Sequence, residues 1–297
     1  MNGYAVTIRA LLVLLSFVTF HWSALAGQWT DETGRSVQLD NPPQRIVSLV
    51  PSVTETLFAL GAQSRIVGVT DYCDYPAEAR QKNQIGAYAD PNLEAIVAAR
   101  PDLVFASAEM NRPAFVERIE RMGIAVYVIN PRSLDEVVAM VRSIAHLIDE
   151  PSAGRALADA MQERIDAVQA RAQERTHPKT LFTIMTSPLI VAGPGTLSDD
   201  LLRMAGGVNV VEAGPSRYPG WGVEGLLAVD PAVIVATPHT QDGSDKALEY
   251  FARWPQLQAV QQGRLVSIHS DLVHRAGPRL VDGLEALHDA LHPREEE

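Results

Sequence analysis

The stretch Asn92-Leu-Glu-Ala-Ile-Val-Ala-Ala-Arg-Pro-Asp-Leu-Val-Phe-Ala-Ser107 recurs, altered, as Gly222-Val-Glu-Gly-Leu-Leu-Ala-Val-Asp-Pro-Ala-Val-Ile-Val-Ala-Thr237. Glu94/Glu224, Ala98/Ala228, Pro101/Pro231 and Ala106/Ala236 are identical, and six further positions exchange one apolar residue for another. Each copy reads as a short helix halted by a proline turn and followed by a buried strand. The repeat predicts two similar α/β lobes with a cleft between them. It also places a glutamate in the first turn of each equivalent helix. Two matched acids on two like lobes make a two-point docking face.

The flanking sequence carries the same alternation. Trp29 to Leu39 alternates around Asp31-Glu-Thr-Gly34 and predicts a hairpin. A strand over 45–50 leads to Ser52-Val-Thr-Glu55, which reads as a capping box for a helix ending near Gly61. A strand over 66–70, the loop Asp71-Tyr-Cys-Asp-Tyr-Pro76, helix 92–99, strand 103–107, helix 113–122 and strand 126–129 complete a first lobe. The second lobe reads as strand 180–185, a helix opened by Ser198-Asp-Asp, strand 209–211, and the loop Arg217-Tyr-Pro-Gly-Trp221. Then come helix 223–229, strand 233–237, helix 246–254, strand 264–268 and helix 278–291. Strands alternating with helices predict mainly parallel sheets.

Between the half-repeats lies 151–176. Pro151 suits a helix start, and no proline interrupts Ala153–Arg175. Leu157, Met161, Ile165 and Val168 fall at helical spacing. A helix this long spans roughly 35 Å at 1.5 Å per residue. The predicted division is therefore a lobe over 27–150, one connecting helix over 151–176 and a lobe over 177–297. A single helical connector permits only a small hinge motion.

Residues 1–26 read as a secretory signal: Arg9, an apolar run from Ala10 to Phe20, then Ser23-Ala-Leu-Ala26 before the expected cut. The run falls short of the roughly 20 apolar residues of a spanning helix. With one cysteine, Cys73, no internal disulfide forms. A net charge of −11 argues against a nucleic-acid partner. The chain carries no Walker lysine, no full dinucleotide fingerprint and no Gly-x-Ser-x-Gly elbow, and Cys73 has no histidine nearby in sequence. An exported hydrolase is the alternative of a different class, and these absences weigh against it.

Pro43-Gln-Arg-Ile-Val-Ser-Leu-Val-Pro-Ser-Val-Thr-Glu55, Val67-Gly-Val-Thr-Asp-Tyr-Cys-Asp-Tyr-Pro76, Asn92-Leu-Glu94, Arg100-Pro-Asp-Leu-Val104 and Gly123-Ile, taken together, resemble one family. It is the periplasmic binding proteins whose two lobes are joined by one long helix. They serve ABC importers for cobalamin, siderophores, haem and some metal ions. The Asp71-to-Pro76 loop and the later Asp271…Arg275 pair look most like the cobalamin branch. The resemblance implies a non-catalytic periplasmic receptor, acting as a monomer without a cofactor, that passes a corrinoid to a permease dimer.

Residue by residue, the resemblance implies that Glu94 and Glu224 meet the permease. It implies that Tyr72, Tyr88 and Trp221 line the cleft, and that Asp271 and Arg275 contact polar groups of the ligand. A flat, amphipathic macrocycle calls for aromatic faces and few hydrogen bonds. The chain departs from the branch at Ser107-Ala-Glu-Met-Asn111, where a tryptophan is common, and near Ile184 and Ile190, which are aliphatic. Haem is a rival ligand through Tyr88, because a tyrosinate ligates ferric iron. A siderophore is another, through Arg275, Arg217 and Arg112. A bare metal ion would need His239, His269 and His274, but the first lobe offers no matching ligand, so no metal site is assigned.

Overall fold

Pro51 starts the first helix, α1 (Pro51–Ala59), because the missing N–H of a proline costs nothing at a helix N-terminus. This corrects one expectation. The N-cap is Val50, with no side-chain cap, so Ser52 and Glu55 lie inside the helix and form no capping box. Glu55 is freed for a different partner, described below. Gly61, with φ of +75°, ends the turn as expected. The structure, a computed structural model, describes residues 27–238 and 246–293; the expected signal segment and His239 lie outside these.

The N lobe opens with a hairpin, β1 (Gly27–Thr30) and β2 (Ser36–Leu39). Its turn is tied by Asp31, whose carboxylate accepts from the Thr33 N–H and hydroxyl and from the Arg35 N–H. Strands β3 (Ile46–Ser48), β4 (Ile66–Val69), β5 (Leu103–Ser107) and β6 (Ala125–Ile129) form a wholly parallel sheet in the order β4-β3-β5-β6. Helices α2 (Leu93–Ala98), α3 (Pro113–Glu120) and α4 (Leu134–Leu147) complete the lobe. The sequence reading set no bounds for α4, although Ser133-Leu-Asp-Glu136 has the spacing of a capping box. Ser133 Oγ accepts from the Glu136 N–H, and Glu136 Oε2 accepts from the Arg132 N–H.

The predicted connector is α5 (Pro151–Gln173), which ends three residues before the expected limit. It packs on α4 so closely that a Cβ on Gly154 would lie 2.2 Å from the Ala145 Cβ.

The C lobe contains β7 (Lys179–Thr186), β8 (Leu189–Val191), α6 (Leu197–Met204), β9 (Val208–Asn209), α7 (Val223–Val229), β10 (Val233–Ala236), α8 (Lys246–Ala252), α9 (Gln258–Gln261), β11 (Leu265–Ser267), α10 (Ser270–His274) and α11 (Leu280–Leu291). Its sheet runs β11-β10-β7-β8, with β9 also on β7. Only the β7/β8 pair is antiparallel. Thr196, not Ser198, caps α6. The helix expected over 278–291 is preceded by a separate short helix, α10, and starts at Leu280. The repeat thus gives α2–β5 in one lobe and α7–β10 in the other, and both strands are internal in their sheets.

Strand alternation divides the C-lobe core. Leu181 and Ile234 face an outer cluster with Phe251 and Leu226, while Phe182 and Val235 face inward. That inner cluster is continuous through Ile165 and Val168 of α5 and Val141 and Ile144 of α4 to the N-lobe sheet. A polar tie crosses too, since the Leu134 N–H donates to Asp200 Oδ2 at 2.8 Å. Lobes that share a core and capping bonds move little against each other. None of the described helices is long and apolar enough to cross a membrane.

Candidate ligand-binding site

In a parallel α/β sheet, ligands bind at the carboxyl ends of the strands. The loop after β4 is shaped from its own buried residue. Cys73, 1% exposed, accepts from Thr54 Oγ1 at 3.1 Å and lies 3.3 Å from Thr70 Oγ1. With Cys73 held inside, its neighbour Tyr72 is turned out and is 60% exposed. Burial pushes the Cys73 thiol up, against the pull of the two hydroxyls. It is an inert structural thiol.

Tyr88 joins Tyr72, with ring centroids 6.1 Å apart and tilted by 46°. Its backbone N–H donates to Asp71 Oδ1, and its hydroxyl pairs with Ser107 at the end of β5. Burial, then the nearby Glu109 carboxylate, pushes the phenol up to about 12. Tyr88 is therefore held as a neutral phenol.

Trp221 comes from the other lobe on a segment that runs beside β8. The Gly193 N–H donates to the Arg217 carbonyl, the Val191 N–H to Pro219, and the Trp221 N–H to Leu189. The ring is half-buried against the outer C-lobe cluster and lines a cavity of about 420 Å³ with Val211, Glu212 and Pro219. The structure thus pairs Tyr72 with Tyr88, and among the described residues Trp221 forms no ring pair with either. A residue that sequence reasoning passed over lies nearer the other lobe: Tyr218. Its hydroxyl is pushed up by burial and then by Glu109, and opposed by Arg217 and Arg132. Glu109 and Arg132 follow the adjacent ends of β5 and β6 in the N lobe, where the Ala108 N–H donates to the Ile129 carbonyl. Tyr218 belongs to the same Tyr-Pro loop pattern that singled out the first-lobe loop, and that was the available signal.

Asp271 and Arg275 lie on and just after α10. The Arg275 guanidinium is already engaged. Nη1 is 3.0 Å from Glu55 Oε1 and 2.8 Å from Asp74 Oδ1, and Nη2 is 3.0 Å from Asp271 Oδ1. Nη2 also donates to the Tyr72 carbonyl at 3.2 Å. A second arginine, Arg279, reaches Glu55 at 3.4 Å and stacks 3.9 Å above the Tyr75 ring. Sequence reasoning missed Glu55 and Asp74 here, because no local pattern joins positions so far apart in the chain.

Glu94 and Glu224 stand exposed in the first turns of α2 and α7, with no ion pair among the described residues. Each helix leads into a parallel strand and runs back against it, so its first turn lies at the strand's carboxyl edge. Both acids therefore share the edge at which the cleft opens. Of the histidines, the His269 ring accepts from the Asp271 N–H, and His274 bridges Thr237 and Ser198. No group of three or more His, Cys, Asp or Glu that could hold a metal ion occurs among the described residues.

Comparison with known proteins agrees with this geometry. The family model described as periplasmic binding protein matches residues 46–272. The vitamin B12-binding protein of Vibrio cholerae is 25% identical over 244 residues, covering 82% of this chain and 87% of that one. The crystal structure of the periplasmic vitamin B12 binding protein BtuF of Vibrio cholerae superposes with a TM-score of 0.77 at 26% identity, covering 84% of this chain and 97% of that one. A periplasmic heme binding protein from Pseudomonas aeruginosa superposes with the same TM-score at 28% identity, covering 86% and 94%. Overall likeness therefore fixes the fold but does not separate the two ligand classes. With two thirds of its length and more matched, and with two lobes joined by one long helix, the chain belongs to the periplasmic binding protein family.

Proposed function

We propose that this protein is an exported, non-catalytic receptor that captures a corrinoid, cobalamin or a precursor, and delivers it to an ABC importer. The observation that carries the reading is the tyrosine pair at the carboxyl edge of the N-lobe sheet, with Tyr72 60% exposed and 6.1 Å from Tyr88. Such a pair offers flat apolar faces and one phenolic donor to a large amphipathic ring. The vitamin B12-binding relatives support the same choice. Trp221 and Tyr218 are assigned to the facing wall, and Asp271 with Arg275 to the polar rim.

Cargo would be released at the membrane. Negative side chains in the first turn of a helix complement its dipole. Glu94 and Glu224, one on each lobe, are assigned to paired cationic groups on the two halves of a permease. Residues 1–26 would be removed on export, with the cut after Ala26. A catalytic reading has no support in Cys73, whose neighbours are threonine hydroxyls and whose thiol is buried.

Haem is the second reading, favoured by the likeness to the Pseudomonas aeruginosa protein. Against it, the curated relatives are vitamin B12-binding proteins. Calorimetric titration of the mature chain with cyanocobalamin and, separately, with hemin tests the reading. Saturable one-to-one binding of cyanocobalamin supports it. Heat from hemin alone would move the cargo to haem.

A further inference from the structure

The ion cluster around Arg275 joins the lobes where the cleft aromatic is mounted. Arg275 sits in the link between α10 and α11, and its side chain is 11% exposed. Its partners Glu55 and Asp74 belong to the N lobe, as does the Tyr72 carbonyl that also accepts from it. Arg279 adds a second bond to Glu55 and covers Tyr75. The same link presses on α1, because a Cβ on Gly277 would lie 3.1 Å from the Ser52 carbonyl oxygen. One short C-lobe segment therefore grips α1 and the 72–75 loop together.

Glu55 is the most deeply placed member, with a side chain 2% exposed. Its Oε1 receives both arginines, while Oε2 has no hydrogen-bond partner. Its charge thus rests on the two guanidinium groups of the other lobe. A buried ion pair adds little by forming, but loss of one partner strands the others at a high cost.

We propose that Glu55 and Asp74 on one lobe, with Arg275 on the other, form a clasp that sets the aperture of the cleft and positions Tyr72. Glu55 is a positioning residue that acts through Arg275 on the Tyr72 carbonyl. The cleft widens only when the clasp parts. This holds whichever macrocycle the cleft takes.

Cys73 is a reporter supplied by the chain itself. It lies between Tyr72 and Asp74, is 1% exposed, and is the only cysteine. A small maleimide reaches it when the 72–75 loop lifts. The rate is read for the native protein, Glu55→Gln, Asp74→Asn and Arg275→Met, all checked by circular dichroism. Arg142→Ala breaks the pair from α4 to Asp159 of α5, neither of which belongs to the clasp, and serves as the control for simple destabilisation. Labelling is expected to accelerate about tenfold or more in the clasp variants and to stay at the native rate in Arg142→Ala.

The electrostatics sharpen the test. The Arg275 charge lowers the Cys73 thiol, so removing it alone leaves less thiolate and slower reaction. Acceleration in Arg275→Met therefore reports access. If that variant does not fold, Arg275→Gln, which also removes the cation, decides; acceleration in Glu55→Gln and Asp74→Asn counts only beyond the gain in thiolate that loss of a nearby carboxylate brings. Native labelling rates in the folded clasp variants, or equal acceleration in the control, would overturn the proposal.

Discussion

Arg275 and Asp74 meet at 2.8 Å across the two lobes, and Asp74 is two residues from Tyr72, the most exposed aromatic at the proposed ligand face. One ion pair thus links the closure of the cleft to the placement of its aromatic wall. A receptor with a shared core and such a tie presents a nearly formed cleft, which lowers the ordering cost of binding.

Tyr72 and Trp221 separate binding from stability. Tyr72→Ala removes a largely solvated ring, so the melting temperature should stay within a degree or two, while corrinoid affinity falls roughly tenfold, about 1–1.5 kcal/mol. Trp221 is packed against the outer C-lobe cluster, so Trp221→Ala should weaken binding and also lower the melting temperature. Titration and thermal melts on both variants check this. A large loss of stability in Tyr72→Ala would show that its exposure is misplaced.

Glu94 and Glu224 should matter only at the membrane. The double variant Glu94→Ala, Glu224→Ala is expected to bind ligand within about twofold of the native protein and to lose uptake in reconstituted vesicles. Each single variant should lose part of it, since exposed charges set docking rate and orientation more than affinity. Unimpaired uptake by the double variant would remove these residues from the docking face.

Gly154 sits where α5 crosses α4. Alanine at a helix interior normally gains up to about 1 kcal/mol over glycine. Here the new methyl would lie 2.2 Å from the Ala145 Cβ, and overpacking a tight core costs about 1–3 kcal/mol. The second effect wins, so Gly154→Ala should lower the melting temperature by several degrees. A higher melting temperature would mean that the two helices separate easily.

Glu32 gives stability a pH dependence. Burial lifts its carboxyl from 4.5 to about 7, against the pull of the Asn130 N–H, and Oε1 is buried without a partner. Because the folded-state value is the higher, this contribution is present below about 4.5 and is lost as the pH rises to about 7. The loss should be about 1–2 kcal/mol after allowance for partial exposure. Glu32→Gln, neutral throughout, should flatten melting temperature against pH across that window. An unchanged slope would assign the dependence to other groups.

The parts of the fold written in local pattern were legible in the sequence. The repeat at 92–107 and 222–237 marked α2–β5 and α7–β10, and the proline-free run after Pro151 marked α5. Misreadings came where two local signals competed. Ser52 and Glu55 have capping-box spacing, but Pro51 starts the helix one residue earlier, so that spacing falls inside it. The Ser133 cap, with its bond from the Glu136 N–H, opens a helix whose bounds went unassigned. At the candidate site, Tyr72 and Tyr88 come together as loops on one sheet edge should place them. Glu55 with Arg275 was not legible, because the pair depends on how two lobes pack and leaves no trace in either segment alone.

The most direct measurement is equilibrium dialysis of the mature protein against equal concentrations of cyanocobalamin and hemin, with a ferric siderophore in a third chamber. Retention of one cyanocobalamin per chain, undiminished by the competitors, is the outcome expected of a corrinoid receptor. Retention of hemin or siderophore in its place, with cyanocobalamin passing freely, would contradict it.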